Sequence, residues 1–326
     1  MSEDDAVRAT NDDAASCKRA AVQLGYWKDP YINYFMRASE RKAPEINRGF
    51  YVRVRGVHSL LKQFLEITKC QGQIVNLGAG FDTTYWNLKD ENLAPKSFIE
   101  VDFQGITAQK MYYIQHRKHL LDKLTADQVD VQISSTDLHA GQYHIVAADL
   151  RNVGELKKKL GECGVDFNLP TCFLTECVLV YMPPEASEAL LRWIPEHFKS
   201  AFFVNYEQVN MGDRFGKVMI DNLRARGCGL PGVQYCQNLE SQKQRFLSTG
   251  WTSADAINMV DVYRSLPQSD VQSFNPPPIL VDLGIELFSH YCMVWACCRP
   301  PLGLDLVIYK DAPLVTDKKV KHELPL

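Results

Sequence analysis

The chain has 326 residues, of which 46% are hydrophobic and 23% charged, a balance typical of globular proteins. A formal net charge of −3 gives no electrostatic attraction to nucleic acid or to an acidic membrane surface. No apolar run approaches the roughly 20 residues that cross a bilayer, so the totals argue against a nucleic-acid or membrane protein and leave one large domain or two small ones.

The N-terminal stretch "MSEDDAVRATNDDAAS" is acidic and polar. A secretory signal begins with basic residues and has an apolar core, and a mitochondrial presequence avoids acids, so neither fits. We therefore expect a cytoplasmic protein whose residues 1–12 are disordered.

The ten cysteines form no CxxC pair, and several lie in apolar runs such as "TCFLTECVLVYM". Zinc sites and disulfide frameworks usually show paired or regular spacing. This pattern predicts reduced thiols that pack as small hydrophobic side chains, and no metal ion.

The pattern of residues 13–70 predicts a helical cap, because apolar residues recur there at spacings of three and four. The pattern then changes to short runs rich in Val, Ile and Phe, typical of strands buried on both faces: "QIVNL", "SFIEVDF", "YHIVAADL", "TCFLTECVLVY" and "AFFVNYEQ". Helical segments separate these strands. The alternation predicts an α/β fold with a doubly wound, mostly parallel sheet whose core spans residues 71–210.

Residues 211–289 predict a second helical region, made of "GDRFGKVMIDNLRARG", "LESQKQRFLSTGW" and "DAINMVDVYRSLP". "YCMVWACC" then predicts a last strand that returns to the core at residues 290–298. We expect residues 13–298 to form one domain and residues 299–326 to be a weakly ordered tail.

A glycine turn in "QIVNLGAGFDTTYW" marks the candidate ligand site. Ligands of open α/β sheets bind outside the carboxyl ends of the strands. Four predicted strands end there in candidate groups, namely Gly78 with Gly80, Asp102, Asp149 and Glu176. Asp102 follows Gly78 by 24 residues, close to the spacing at which an acid binds a ribose diol.

The same turn differs from a dinucleotide-binding loop. Thr83 stands where the third glycine of GxGxxG belongs, Asp82 would oppose a pyrophosphate, and no GK[ST] follows. The glycines let the backbone approach a ligand closely, and the nearby charged residues are acids. This combination favours a ligand with a cationic group and no phosphate, such as S-adenosylmethionine, over a nicotinamide cofactor. The plainer alternative is that Asp102 and Asp149 only cap helices.

Several longer stretches resemble leucine carboxyl methyltransferase, the enzyme family that methylates the C-terminal leucine of the protein phosphatase 2A catalytic subunit. The stretches are "CKRAAVQLGYWKDPY", "RKAPEINRGFYVRV", "QIVNLGAGFDTTYW", "ECVLVYM" and "NYEQVNMGDRFG". The resemblance implies a class I adenosylmethionine-dependent methyltransferase whose helical regions form a substrate lid. "SFNPPPILVDLG", residues 273–284, departs from the continuous acidic helix of the family, and the tail after residue 299 has no familiar match.

The resemblance also implies roles for individual residues. The implied cofactor contacts are Lys18 and Arg53 for the cofactor carboxylate, Gly78 and Gly80 for close backbone approach, Asp102 for the ribose, Asp149 with Leu150 for adenine, and Glu176 for the ammonium. Arg53 would also orient the substrate carboxylate, and Tyr181 and Tyr206 would line the slot for the terminal leucine. The alternatives are solvated charges for the two cations and ordinary core packing for the two tyrosines.

The implied reaction needs no general base, because a peptide α-carboxyl group is already an anion at pH 7. The expected partner is the phosphatase catalytic subunit, through its tail and its folded domain, and we expect the enzyme to be a monomer. Two other functions stay open. One is the paralogous tRNA wybutosine-synthesising methyltransferase, which carries a β-propeller extension and acts on RNA. The other is a catalytically dead protein that binds phosphatase.

Overall fold

The computed structural model describes residues 2–37, 40–126, 129–266 and 286–299. Within them the helices are α1 (Glu3–Gln23), α2 (Ile32–Phe35), α3 (Pro44–Ile67), α4 (Thr84–Asp90), α5 (Gln104–His116), α6 (Lys118–Thr125), α7 (Val153–Glu162), α8 (Pro184–His197), α9 (Arg214–Ala225), α10 (Leu239–Leu247) and α11 (Met259–Ser265). Two short 3₁₀ helices span Leu179–Tyr181 and Pro231–Tyr235.

The strands are β1 (Gln73–Leu77), β2 (Ser97–Asp102), β3 (Val131–Ile133), β4 (Leu138–Ala140), β5 (Tyr143–Ala147), β6 (Thr171–Glu176), β7 (Ala201–Gln208), β8 (Ser253–Asn258) and β9 (Tyr291–Cys298). In the described part of the chain they form one sheet in the order β3-β4-β5-β2-β1-β6-β7-β9-β8. The central strands β5, β2, β1, β6 and β7 are parallel, and the flanking pairs are antiparallel. The predicted doubly wound, mostly parallel sheet is confirmed.

The strand order reverses at β1, which pairs with β2 on one side and with β6 on the other. The carboxyl ends of parallel strands meet at one edge of a sheet, and ligands bind where the order reverses. The turn after β1 and the ends of β2, β5 and β6 therefore lie together at this edge.

The prediction for "DAINMVDVYRSLP" is wrong in its first part. Residues 255–258 belong to β8, which pairs along its whole length with β9, and α11 begins only at Met259. The short strands β3 and β4 were not predicted either. In each case pairing with a partner strand decides the structure, whereas the local sequence pattern does not.

The expectation of disorder for residues 1–12 is also wrong, because α1 begins at Glu3. Ser2 Oγ accepts a hydrogen bond from the Asp5 backbone N–H, and the Asp5 carboxylate accepts one from the Ser2 N–H. This reciprocal pair is a capping box, and the acidic first turn suits the positive end of a helix dipole. The acidic residues that suggested a disordered tail instead favour the start of a helix.

Apolar side chains pack on both faces of the sheet. One cluster joins α3, through Leu60, Leu61 and Phe64, to the strands. The other joins α7 and α8 to the opposite face, for example through Leu160 and Leu191. The ten cysteines are all free thiols, as predicted.

Among the described residues, no helix combines the length and the apolar character that crossing a bilayer requires. The expectations for residues 273–284 and for the tail from residue 300 onward concern residues outside the described part of the chain.

Candidate functional site

A cavity of about 530 Å³ lies at the carboxyl edge of the central strands. Its walls come from the strand ends, from α1 and from α3. Every residue predicted for cofactor binding lines it: Lys18, Arg53, Gly78, Gly80, Asp102, Asp149, Leu150 and Glu176. Tyr181 lines it as well, whereas Tyr206 is not among the lining residues.

The turn after β1 requires glycine at two positions. Gly78 and Gly80 have φ angles of +67° and +53°, in the left-handed region that residues with a Cβ rarely adopt. A Cβ on Gly78 would lie 2.5 Å from Val178 Cγ2, and one on Gly80 would lie 2.5 Å from Asn11 Oδ1. The turn is therefore held close between the loop after β6 and helix α1.

Asp102, at the end of β2, is tied to the glycine turn. Its Oδ2 accepts a hydrogen bond from Gly80 N at 2.7 Å, and its Oδ1 accepts one from Phe103 N at 2.7 Å. Burial raises the pKa of Asp102, although these hydrogen bonds oppose the rise. A carboxylate has about four acceptor positions, so two bonds leave capacity for the hydroxyl groups of a ligand.

Four charged side chains form a buried cluster on the cavity wall. Arg53 Nε donates to Glu176 Oε2 at 2.5 Å, and Lys18 Nζ lies 3.7 Å from Glu176 Oε1 and 3.3 Å from Asp82 Oδ1. Burial alone would lower the pKa of Arg53, but the charge of Glu176 outweighs it and raises the pKa. The two predicted cations are thus already paired with Glu176 at the end of β6, and Lys18 also with Asp82 after the glycine turn.

Tyr206 lies behind Arg53 and not in the cavity wall. The Arg53 guanidinium stands 4.7 Å from the centre of the Tyr206 ring, which stacks on Tyr291 with 5.2 Å between ring centres. Tyr291 lines the cavity, and sequence reasoning did not single it out. The structure therefore places Tyr206 where it can orient Arg53.

Asp149 is held by Arg151, another residue that sequence reasoning missed. Arg151 Nη2 lies 2.6 Å from Asp149 Oδ2, and Arg151 Nε and backbone N each lie 2.9 Å from Asp149 Oδ1. Burial raises the pKa of Asp149, but these contacts outweigh it and lower the pKa. The side chain of Asp149 therefore has to share its oxygens between Arg151 and any ligand.

Arg151 also fastens α1 over the cavity. Its Nη1 and Nη2 donate to Asp4 Oδ1 and Oδ2, both at 2.9 Å. Further along α1, Asn11 Oδ1 accepts from Phe81 N at 2.8 Å, and Asp13 pairs with Arg226. These contacts make α1 a wall of the site. The capping box at Ser2 was the sequence signal that could have revealed it.

Tyr181 ends a 3₁₀ helix that two buried ionisable side chains support. Glu207 Oε2 accepts from Val180 N at 2.9 Å, and Arg245 Nη2 donates to Leu179 O at 3.0 Å. Burial raises the pKa of Glu207 to about 7, although Arg245 opposes the rise. Burial also raises the pKa of Tyr181, so its hydroxyl stays neutral.

Comparisons with known proteins agree on one family. A family model described as leucine carboxyl methyltransferase matches residues 6–195. Leucine carboxyl methyltransferase 1 of Bos taurus is 49% identical over 94% of this chain and 94% of its own length, and that of Caenorhabditis elegans is 37% identical over 91% and 92%. tRNA wybutosine-synthesizing protein 4 of Rattus norvegicus is 33% identical over 89% of this chain, but only 44% of that protein is covered.

Solved structures resemble the chain more distantly. Magnesium protoporphyrin IX methyltransferase from Synechocystis, with bound SAH, has a TM-score of 0.44 and 10% identity over 85% of this chain and 94% of its own. A likeness of this size carries no conclusion by itself.

Proposed function

The chain belongs to the leucine carboxyl methyltransferase family, and we propose on that basis that its substrate is the C-terminal leucine α-carboxylate of the protein phosphatase 2A catalytic subunit. The product is a methyl ester. The proposal rests on one observation: the strand-end acids and the two cations, predicted separately, line a single cavity in a chain that matches a carboxyl methyltransferase along 94% of both lengths.

The protein is a class I methyltransferase, and its cofactor is S-adenosylmethionine. When bound, this cofactor supplies a methyl group on a positively charged sulfur. The residues present fit it: Asp102 retains acceptor capacity for ribose hydroxyls, and Asp149 and the backbone of Leu150, on the cavity wall, are assigned to adenine. Asp82, at the position of a phosphate site, carries a negative charge that suits a ligand without phosphate.

The residues of the chain have two tasks in the reaction, namely orientation of the substrate and exclusion of water. The attacking carboxylate is already ionised at pH 7, so no proton has to be removed. Opposite charges are neutralised as the ester forms, and a dry site favours that neutralisation because water would stabilise both charged reactants. The cluster of Arg53, Glu176 and Lys18 places charge on the cavity wall through side chains that are only 10–12% exposed.

We assign the orientation of the substrate carboxylate to Arg53. Its contacts with Glu176 use Nε and one Nη2 hydrogen, whereas a guanidinium has five N–H donors. The ion pair fixes the plane of the guanidinium and also limits how strongly it can stabilise the substrate anion. Tyr181, on the cavity wall, is assigned to the slot for the leucine side chain.

We place the enzyme in the cytoplasm as a monomer that acts on folded phosphatase. The tRNA alternative has less support: tRNA wybutosine-synthesizing protein 4 of Rattus norvegicus is 33% identical, against 49% for leucine carboxyl methyltransferase 1 of Bos taurus, and the net charge of −3 does not favour RNA. A protein that binds phosphatase without turnover would have no need of the intact strand-end acids.

A transfer assay tests the proposal. The purified chain is incubated with methyl-labelled S-adenosylmethionine and phosphatase 2A catalytic subunit, with phosphatase lacking its terminal leucine as the matched control. We expect base-labile label on the intact subunit only. Label that resists base, label on the truncated subunit, or no label despite phosphatase binding would each refute the assignment.

A further inference from the structure

Two histidines and one cysteine meet outside the cavity. His139 on β4 and His144 on β5 are directly opposite each other in the antiparallel pair. Their Nδ1 atoms lie 2.9 Å apart. Cys163, the C-cap residue of α7, completes the group, and the three candidate ligand atoms all lie within 4.8 Å of one another.

The elements that carry these side chains pack together. His144 lies on the same face of β5 as Val146, and Val146 and Cys163 belong to one buried apolar cluster. His144 and Cys163 are 9% and 8% exposed. Ligands on a hairpin and a helix end are held in place before any ion arrives, which reduces the entropic cost of binding.

Two acids lie close to the site. Asp137 and Glu162 act on Cys163 as negative charges, and negative charges attract a cation. Lys159 offsets them with one positive charge, its Nζ lying 2.5 Å from Asp137 Oδ2 and 3.5 Å from Glu162 Oε2.

We propose that His139, His144 and Cys163 bind a divalent transition-metal ion, with zinc as the metal that fits this donor set. Two imidazoles and a thiolate are typical zinc ligands, and the usual tetrahedral geometry leaves a fourth position for water. The cysteine pattern predicted no metal ion, because neither histidine spacing nor a CxxC pair marks this site. Strand pairing and the end of α7 bring the ligands together.

The site is structural in character. None of the three residues lines the cofactor cavity, and His144 lies five residues before Asp149 at the opposite end of β5. A bound ion would join the edge hairpin β4–β5 to α7, the helix that follows Asp149 and Arg151. Zinc is therefore expected to raise stability and to leave the methyl-transfer step unchanged.

Binding requires a defined proton balance. The thiol proton of Cys163 is released to solvent as the sulfur–metal bond forms, and the proton shared by the facing Nδ1 atoms moves to Nε2 of its ring. One proton per ion is therefore lost, and zinc affinity rises with pH. No oxidant or reductant takes part.

Cobalt substitution tests the proposal with the full chain. We expect Co²⁺ to bind at one ion per chain and to give a thiolate-to-cobalt charge-transfer band that Zn²⁺ abolishes. Cys163→Ser should remove the band. His144→Ala should weaken zinc binding by at least about tenfold, because the loss of a group that only supports a metal ligand already has an effect of that size. Cys70→Ser and His58→Ala are the matched controls, and both should bind as the parent does.

Melting curves give a second readout. Zinc should raise the melting temperature of the parent chain by a few degrees and that of Cys163→Ser not at all, because an ion that binds only the folded state stabilises it. His139→Gln, at a half-buried position, provides a variant that folds if Cys163→Ser does not. A charge-transfer band that persists in Cys163→Ser, or zinc binding that is equal in the parent and in His139→Gln, would overturn the assignment.

Discussion

Arg53 Nε donates to Glu176 Oε2 at 2.5 Å, although the two residues are 123 positions apart in the chain. Arg53 comes from α3 and Glu176 from the end of β6. The pair therefore joins the helical cap to the strand edge at the cavity. It also turns the guanidinium onto the Tyr206 ring, so that packing and charge together decide where Arg53 points.

Arg53→Ala is predicted to lower kcat/KM for phosphatase by at least about 100-fold, a barrier change of roughly 3 kcal/mol, because the substrate carboxylate loses its orienting group. Arg53→Lys keeps the charge but not the planar fork and should recover only part of the loss. Initial rates measure the effect, with circular dichroism as the control for folding. A loss below about threefold in Arg53→Ala would remove Arg53 from this role.

Asp102→Asn is predicted to weaken S-adenosylmethionine binding by about 10- to 100-fold, because a hydrogen bond to a charged group contributes about 1.5–3 kcal/mol. The amide oxygen can accept from Gly80 N or from Phe103 N but not from both, because the amide nitrogen is a donor, so circular dichroism is the control for the shape of the variant. Calorimetric titration measures the affinity, and Asp122→Asn, at an exposed position, is the matched control. Equal affinities in the two variants would contradict a ribose role for Asp102.

The strand-end residues were predictable because each follows a run with a clear local pattern. Gly78, Asp102, Asp149 and Glu176 come directly after or at the end of buried strands, and parallel pairing brings such positions to one edge. Sheet topology alone is sufficient to group them.

The residues that sequence reasoning missed depend on contacts between distant elements. Arg151 was overlooked because its partner Asp4 lies on a helix that was expected to be disordered. Tyr206 was predicted to line the cavity. Its ring instead packs behind Arg53, with the guanidinium 4.7 Å from the ring centre. The group of His139, His144 and Cys163 exists only once β4 pairs with β5 and α7 packs on them. The local sequence pattern does not show which distant elements will come into contact.

Asp4→Asn is predicted to loosen α1 and to speed the dissociation of S-adenosylmethionine by a few-fold, because a partly exposed ion pair contributes up to about 1 kcal/mol. Asp4 and Arg151 are each 37% exposed, so the pair is well screened. Stopped-flow release measures the rate, and hydrogen exchange of the α1 amides shows whether the helix opens. Asp5→Asn is an unsuitable control because it removes the capping box, and Asp12→Asn serves instead. Equal release rates in Asp4→Asn and Asp12→Asn would show that α1 does not gate the cofactor.

Glu207 gives the protein a stability that depends on pH. Burial raises its pKa from an ordinary value near 4.5 to about 7, so between these values the folded chain holds a proton that the unfolded chain has lost. The free energy of unfolding therefore contains a contribution that is complete below about pH 4.5 and disappears as pH rises through about 7. The expected size is at most about 3 kcal/mol.

Glu207→Gln is predicted to remove this slope, because an amide does not titrate but can still accept from Val180 N. Urea unfolding of the parent and the variant at several pH values between 5 and 8 measures the difference between their unfolding free energies. Relative to Glu207→Gln, the parent should lose stability across this range, and only the slope is diagnostic because the variant also removes the charge facing Arg245. Glu185→Gln, at an exposed position, should follow the parent. Parallel profiles for the parent and Glu207→Gln would mean that Glu207 is ionised throughout, and the support of the Leu179–Tyr181 helix would then come from a permanent ion pair with Arg245.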